Sequence, residues 1–315
     1  MKIVVLGAGG VGGYFGGRLA AAGSDVTFVA RGAQLAAMLR SGLRITSPRG
    51  DAYIHRVRAV ETVAEAGPAD LVLVGVKLWD TEAAAESLKP VAHQNTAIVS
   101  FQNGVQKDDI LRRYVPSRSV VGGVCYIAAS VAEPGVINHT GTMQRLIFGE
   151  YDGAISERLE AFRATCNKAG IDAEISDSIE RMIWEKFVFL VGLSGTTSLF
   201  RTTIGPIRED PEKRATLLAA MREVVAVGRA KKVDLPTDYA EDRLAFCDTL
   251  PAAMPSSMSV DLDHGHRLEL PWLSGGVLDL GATLNVPTPV NKRIVEALAP
   301  YVDGVAARRA PVPRV

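Results

Sequence analysis

Short apolar runs alternate with helical periodicity through the first half of this chain. Residues 2–6, 25–30, 70–77 and 97–101 are nearly continuous apolar runs, the pattern of strands covered on both faces of a parallel sheet. Helical stretches at 13–22, 33–40, 61–66 and 81–88 separate or follow them. Weaker strand patterns at 43–46 and 52–57 flank the turn Ser47-Pro48-Arg49-Gly50. Three more, at 120–129, 135–139 and 144–148, are divided by turns at Glu133-Pro134-Gly135 and Thr140-Gly141. A helix at 155–169 and a strand at 172–175 complete this part. From Asp177 the period changes. Helical stretches at 178–192, 211–232, 237–248, 275–284 and 289–302 dominate, and strand patterns nearly vanish. The pattern predicts an α/β, doubly wound domain over 1–176 and an all-α domain over 177–306. A disordered tail is expected over 307–315, which holds three arginines and two prolines.

Composition narrows the class. A length of 315 residues suits two domains, and 47% apolar with 22% charged residues is ordinary globular composition. Lys+Arg and Asp+Glu are both 35, so no global field draws the chain to nucleic acid or to an anionic membrane. The apolar run at the N-terminus is interrupted by glycines, unlike a signal peptide. No uninterrupted apolar window reaches the ~18 residues of a membrane span, and cytoplasm is the expected setting. Three scattered cysteines without a C-x-x-C pair argue against disulfides and zinc. His264 and His266 on a polar stretch read as solvated, so no metal site is expected.

The chemistry begins at the end of the first strand. Gly7-Ala8-Gly9-Gly10-Val11-Gly12 is G-x-G-x-x-G between a strand and a helix. That arrangement suits a dinucleotide: Gly7 permits the tight turn, Gly9 lets the pyrophosphate approach the backbone, and Gly12 lets the helix pack on the strand. A helix N-terminus then offers free N–H groups to the phosphates. Where NAD-binding versions place an acidic residue ~20 positions on, this chain has Ala30 and Arg31. A guanidinium suits a 2′-phosphate, which favours NADP(H) over NAD; the competing reading is a surface arginine in a turn. Lys77 and Asn103 also fall at carboxyl ends of predicted strands, the rim where open α/β sheets bind ligands.

In the second domain Lys186 stands within Ile183-Trp184-Glu185-Lys186-Phe187-Val188-Phe189-Leu190. An ammonium among apolar neighbours is a candidate proton donor for carbonyl reduction. Read alone, its pattern favours a helix-surface lysine paired with Glu185 or Glu180. Ser256-Ser257 reads as a helix cap, and Glu269 as a surface residue.

Taken together, these residues resemble the ketopantoate reductase (2-dehydropantoate 2-reductase) family. The matching pieces are the opening KIVVLGAGGVG, Val29-Ala30-Arg31-Gly32, Lys77, Gln102-Asn103-Gly104-Val105, Trp184-Glu185-Lys186, Ser256-Ser257-Met258, Glu269 and Val286-Pro287-Thr288-Pro289-Val290-Asn291. The resemblance implies a Rossmann-type domain followed by a helical domain like that of 6-phosphogluconate dehydrogenase, and NADPH-dependent reduction of a 2-keto acid, nominally ketopantoate to pantoate in pantothenate biosynthesis. It implies that Gly7–Gly12 hold the pyrophosphate and Arg31 the 2′-phosphate. Lys77, Asn103 and Ala128 would line the nicotinamide half, with Glu269 near the nicotinamide ribose and the substrate. Lys186 would donate the proton, and Ser194 and Ser257 would reach the substrate. A homodimer is expected. Four places where the family carries asparagine hold Leu190, Ser194, Ile204 and Met254 instead. A bulkier, more apolar 2-keto or hydroxy acid is therefore the alternative substrate, and a non-catalytic NADP-binding regulator the lesser alternative.

Overall fold

In the computed structural model, which describes residues 1–304, contacts divide the chain between Met182 and Ile183. The boundary lies inside a helix, Ile179–Leu199, beyond the expected division at 176/177. The expected tail, 307–315, lies outside the described residues.

The first unit is built on ten strands: β1 (Lys2–Leu6), β2 (Asp25–Val29), β3 (Leu43–Thr46), β4 (Ala52–Ile54), β5 (Arg58–Val60), β6 (Leu71–Val74), β7 (Ala97–Ser100), β8 (Val120–Glu133), β9 (Val136–Gly149) and β10 (Asp172–Ile175). They form one sheet in the order β4-β3-β9-β8-β7-β6-β1-β2-β5, with β10 paired to β9. From β5 through β2, β1, β6 and β7 to β8 every pairing is parallel. The chain leaves β1 toward β2 on one side and later returns to β6 on the other. Their carboxyl ends are thus a topological switch point, where such sheets bind ligands.

The continuous apolar runs have a direct cause. Along β1, Ile3 and Val5 enter one buried cluster with Phe28, Leu73 and Val99, while Val4 and Leu6 enter another with Val72, Val74 and Ile98. Successive side chains point to opposite faces, and both faces are covered, so Ile3 to Leu6 are all apolar.

Three readings of the sequence are corrected. The strands expected at 135–139 and 144–148 are a single strand, β9. Pairing with β8 jumps from Ile127↔Gln144 to Ala128↔Thr140, so Thr140-Gly141 opens a bulge inside the ladder and not a turn. The run at 52–57 ends early as β4, and Arg58–Val60 forms a separate strand beside β2. Short helices at Lys107–Arg112, Ile204–Glu209 and Ser257–Asp263 span two turns or fewer, too little for periodicity to register.

The described residues of the second unit are helical throughout their regular elements. Helix Pro211–Ala230 is capped by Asp210, whose carboxylate accepts from the N–H groups of Glu212 and Lys213 at 2.9 and 3.2 Å. Its buried Glu223 caps a second helix, Pro289–Leu298, from a distance, accepting from the N–H groups of Val290 and Asn291 at 2.7 and 2.9 Å and from Asn291 Nδ2 at 2.8 Å. Pro289 has no N–H, so these are the first donors that helix has to offer. The Thr288-Pro289-Val290-Asn291 run thus has a structural role. No described helix is long and apolar enough to cross a membrane. Cys125, Cys166 and Cys247 are buried and free. Burial raises the thiol of Cys166 and pushes that of Cys247 up to about 12, so neither supplies a thiolate near neutral pH.

Replacing Glu223 by Ala strips three charge-assisted bonds and leaves buried donors unpaired. Urea denaturation should show a loss of roughly 3 kcal/mol; a loss below about 0.5 kcal/mol would deny Glu223 its capping role.

Candidate functional site

The turn after β1 is a place of backbone against backbone. Gly7 has φ +97°, a conformation that favours glycine, and donates its N–H to the Val29 carbonyl at 3.0 Å. A Cβ added at Gly7 would lie 2.8 Å from Val76 Cγ1, and one at Gly12 would land on the Gly7 carbonyl oxygen. One at Gly10 would strike the Ala129 carbonyl of β8. Gly9 differs: a Cβ there would meet nothing within 4 Å. Packing does not require glycine at that position, so the space beside it is available to a ligand. Helix Gly10–Ala21 starts there with Gly9 as its N-cap and no side-chain cap. Its first amides and its dipole favour an anion. Ala8 is buried and Val11 half-buried against the core. The loop therefore fits a nucleotide pyrophosphate.

The other predicted residues of this unit lie on the same rim. Arg31 follows β2, is largely exposed, and faces the Asp80 carboxylate at 3.6 Å. Lys77 follows β6, is exposed, and holds its Nζ 5.6 Å from the centroid of the Trp79 ring. Asn103 follows β7 and is half-buried. Ala128 is exposed at the register jump of β8, and its neighbour Ala129 touches the glycine loop.

Two positioning residues escaped the sequence reading. Gln102, only 8% exposed, donates through Nε2 to the carbonyls of Val76 and Lys77 at 3.0 and 3.3 Å and to Thr81 Oγ1 at 2.8 Å. Its Oε1 accepts from Ser100 Oγ at 2.9 Å. It ties the end of β6 to the end of β7 and so fixes the bases of Lys77 and Asn103. The Gln102-Asn103-Gly104 run was the available signal. Gln34 donates to the Ala8 carbonyl at 2.9 Å and accepts from the Gly135 N–H at 2.9 Å, linking the glycine loop to the β8–β9 turn. Both partners are backbone groups, so no sequence signal exists.

In the second unit Lys186, Leu190 and Ser194 occur at intervals of four along helix Ile179–Leu199, which puts them on adjoining parts of one face. Lys186 and Leu190 are half-buried, between the buried Ile183, Trp184, Phe187 and Val188. Ser194 is fully buried, and its hydroxyl has no hydrogen-bond partner among the described residues. Farther along, Thr197 Oγ1 lies 2.7 Å from Ser256 Oγ. Ser256 is the N-cap of helix Ser257–Asp263 and forms a capping box with Ser259. The cap reading thus belongs to Ser256, which leaves Ser257, the first helical residue, exposed. Thr197, the anchor of that helix start, was missed because its partner is 59 residues away. Ile204 and Met254 are brought together by the Ile204 N–H to Met254 carbonyl bond at 3.1 Å. Glu269, expected at the surface when read alone, is buried.

Residues 3–153 match the family profile described as ketopantoate reductase PanE/ApbA, and residues 178–302 match its C-terminal counterpart. The chain belongs to the ketopantoate reductase PanE/ApbA family. An uncharacterized oxidoreductase, YkpB, of Bacillus subtilis is 31% identical over 96% of this chain and 99% of its own length. The 2-dehydropantoate 2-reductase of Mesorhizobium japonicum is 30% identical over 98% of this chain and 99% of its own. A crystal structure of a PanE/ApbA family ketopantoate reductase from Ralstonia eutropha JMP134 superposes with a TM-score of 0.87 at 30% identity, covering 96% of this chain and 98% of that one. Like these ketopantoate reductase relatives the chain is an oxidoreductase, and its activity class is keto acid reduction with a nicotinamide cofactor. The non-catalytic alternative falls away.

The glycines separate binding from folding. Gly9→Val should leave stability within about 0.5 kcal/mol of the parent and weaken nicotinamide nucleotide binding at least tenfold in a fluorescence titration. Gly12→Ala should instead lower the melting temperature, because its Cβ has no room. Equal effects of the two on stability would contradict the open cradle at Gly9.

Proposed function

We propose that this chain reduces a 2-keto acid with NADPH, nominally 2-dehydropantoate to pantoate, with Lys186 as the proton donor. The observation that carries the reading is the cradle at Gly9, open where its neighbours Gly7, Gly10 and Gly12 are packed, in a chain that matches the family over both domains.

In this reading Gly7, Ala8, Gly9, Gly10, Val11 and Gly12 hold the pyrophosphate through backbone amides. Arg31 takes the 2′-phosphate. Its contact with Asp80 is an exposed ion pair, worth little in water, so a phosphate dianion can replace that carboxylate as its partner. Lys77, Asn103, Ala128 and Glu269 serve the nicotinamide half. Bound there, the nicotinamide supplies the hydride. As charge grows on the keto oxygen, the Lys186 ammonium stabilises it and gives up a proton. Ser194 and Ser257 contribute hydroxyls toward the acid. A cytoplasmic setting fits three unpaired thiols.

A second reading keeps the chemistry and changes the substrate. Ile204 and Met254 are neighbours, and with Leu190 they replace amide donors by hydrocarbon. Each missing bond to a charged ligand costs roughly 1.5–3 kcal/mol, so a polar hydroxylated acid is held less well and a larger, more apolar 2-keto acid better.

Following NADPH absorbance over a panel of 2-keto acids separates the readings. Dominant kcat/KM for ketopantoate would end the second, and dominant turnover of a bulky apolar acid would end the first. On the best substrate, Lys186→Ala should lower kcat by roughly 10²–10⁴ with NADPH affinity nearly unchanged, and undiminished turnover would remove Lys186 from the mechanism. Arg31→Gln should weaken NADPH roughly 10-fold or more and leave NADH alone; equal losses for both nucleotides would assign Arg31 another role.

A further inference from the structure

The first unit contains a cleft of about 410 Å³ lined by Arg18, Pro48, Arg49, Gln144, Ala169 and Gly170. Arg18 lies in the last turn of helix Gly10–Ala21. At 1.5 Å per residue it is roughly 13 Å along the helix from the glycine loop, so the cleft is separate from the nucleotide rim. We propose that it is a binding site for a compact polyanion carrying carboxylate or phosphate oxygens. The proposal goes beyond the reductase reading and does not depend on it.

Two features support the assignment: unspent positive charge, and walls fixed in advance. Arg18 donates through Nη2 to the Gly50 carbonyl at 2.5 Å and stacks over the Tyr14 ring, 5.1 Å from its centroid. Its Nε is buried and has no hydrogen-bond partner among the described residues. Arg49 is exposed. Neither guanidinium forms an ion pair among the described residues. The nearest acid in sequence, Asp51, is engaged by the Ser47 N–H at 2.9 Å. Two unneutralised arginines lining one cleft repel each other, and an anion relieves that repulsion.

The walls are held by bonds that leave no slack. Tyr14 Oη donates to Gln144 Oε1 at 2.6 Å, and Gln144 Nε2 donates to the Gly170 carbonyl at 2.6 Å. The Gly170 carbonyl belongs to the chain just after helix Glu157–Lys168, whose C-terminal end is partially negative. With Gln144 on it, that oxygen is already paired. The turn carrying Arg49 is fastened as well. The Arg49 N–H donates to Ser47 Oγ at 3.0 Å, Ser47 Oγ–H to His139 Nδ1 at 2.8 Å, and His139 Nε2–H to the Met143 carbonyl at 2.9 Å. Ser47, His139 and Gln144 are all buried. A buried, paired polar network under a cleft whose cationic groups lack ion-pair partners among the described residues is a preorganised receptor. The volume falls within the range of small-ligand pockets.

Calorimetric titration of the full chain with citrate and, separately, inorganic phosphate, at ionic strength fixed with sodium chloride, tests the site. We expect one saturable site for at least one anion. Saturation by citrate alone identifies a polycarboxylate receptor, and saturation by phosphate a phosphate receptor. Arg49→Ala, whose side chain carries no structural bond, should weaken binding at least tenfold without changing the melting temperature or NADPH affinity. Arg18→Gln should weaken it too. Arg31→Gln should bind the anion like the parent, which separates this site from the nucleotide's phosphate position. Absence of saturation by both anions, parental binding by Arg49→Ala, or loss of binding in Arg31→Gln would each overturn the proposal.

Discussion

A helix can present bare amides to a phosphate only if the turn that feeds it lets two backbones touch. Here that contact is made between Gly12 and the Gly7 carbonyl, under a Gly7 N–H tied to Val29 of the neighbouring strand. Nearly everything else in the first unit serves this turn. The parallel strands on either side of β1 bring Arg31 and Lys77 to the same rim. The carbonyl of Ala129 closes over Gly10 from β8, and Gln34 fastens Ala8 to the far turn of the hairpin. Because the nearest contacts at Gly10 and Gly12 are backbone oxygens, a side chain added at either has no flexible neighbour to push aside.

This explains which parts of the molecule were legible in the sequence. The glycine loop was, because its requirements are local and fall on consecutive residues. The strands β1, β6 and β7 were, because coverage on both faces leaves a run of at least three consecutive apolar residues in each. The bulge in β9 was not. Thr140-Gly141 looks the same in sequence whether the chain turns back or only slips its register, and the ladder to β8 decides between them. Gln34, Thr197 and Glu223 were likewise invisible as positioning groups, and Gln102 showed only through the run Gln102-Asn103-Gly104. Each bonds a partner remote in the chain, and most of those partners are backbone atoms that carry no residue identity.

Lys186 shows the limit of pattern from the other side. Pattern alone favoured a surface lysine paired with Glu185 or Glu180, and Lys186 lies half-buried. Burial alone cannot tell a proton donor from a structural lysine, so its role comes from the resemblance and stays a proposal. Glu269 is the opposite case. Taken as a single residue it looked like surface, yet it is buried, where a carboxylate has to be matched by partners.

The two units also differ in how freely their residues can change. Around the glycine loop, space between backbones sets residue identity at Gly10 and Gly12, while Gly9 is left open by the fold. Around Ile204 and Met254 the structural bond runs from one backbone to another, and any non-proline side chain at 204 and any at 254 can preserve it. Met254 is half-buried, so its side chain can change without touching that bond, whereas Ile204 is fully buried and an asparagine amide there would need partners of its own. The crowded glycines are therefore held by folding itself, and the half-buried Met254 is not. By its resemblance to ketopantoate reductases, this sequence keeps the glycine loop and Lys186 while holding Leu190, Ser194, Ile204 and Met254 where asparagine is expected.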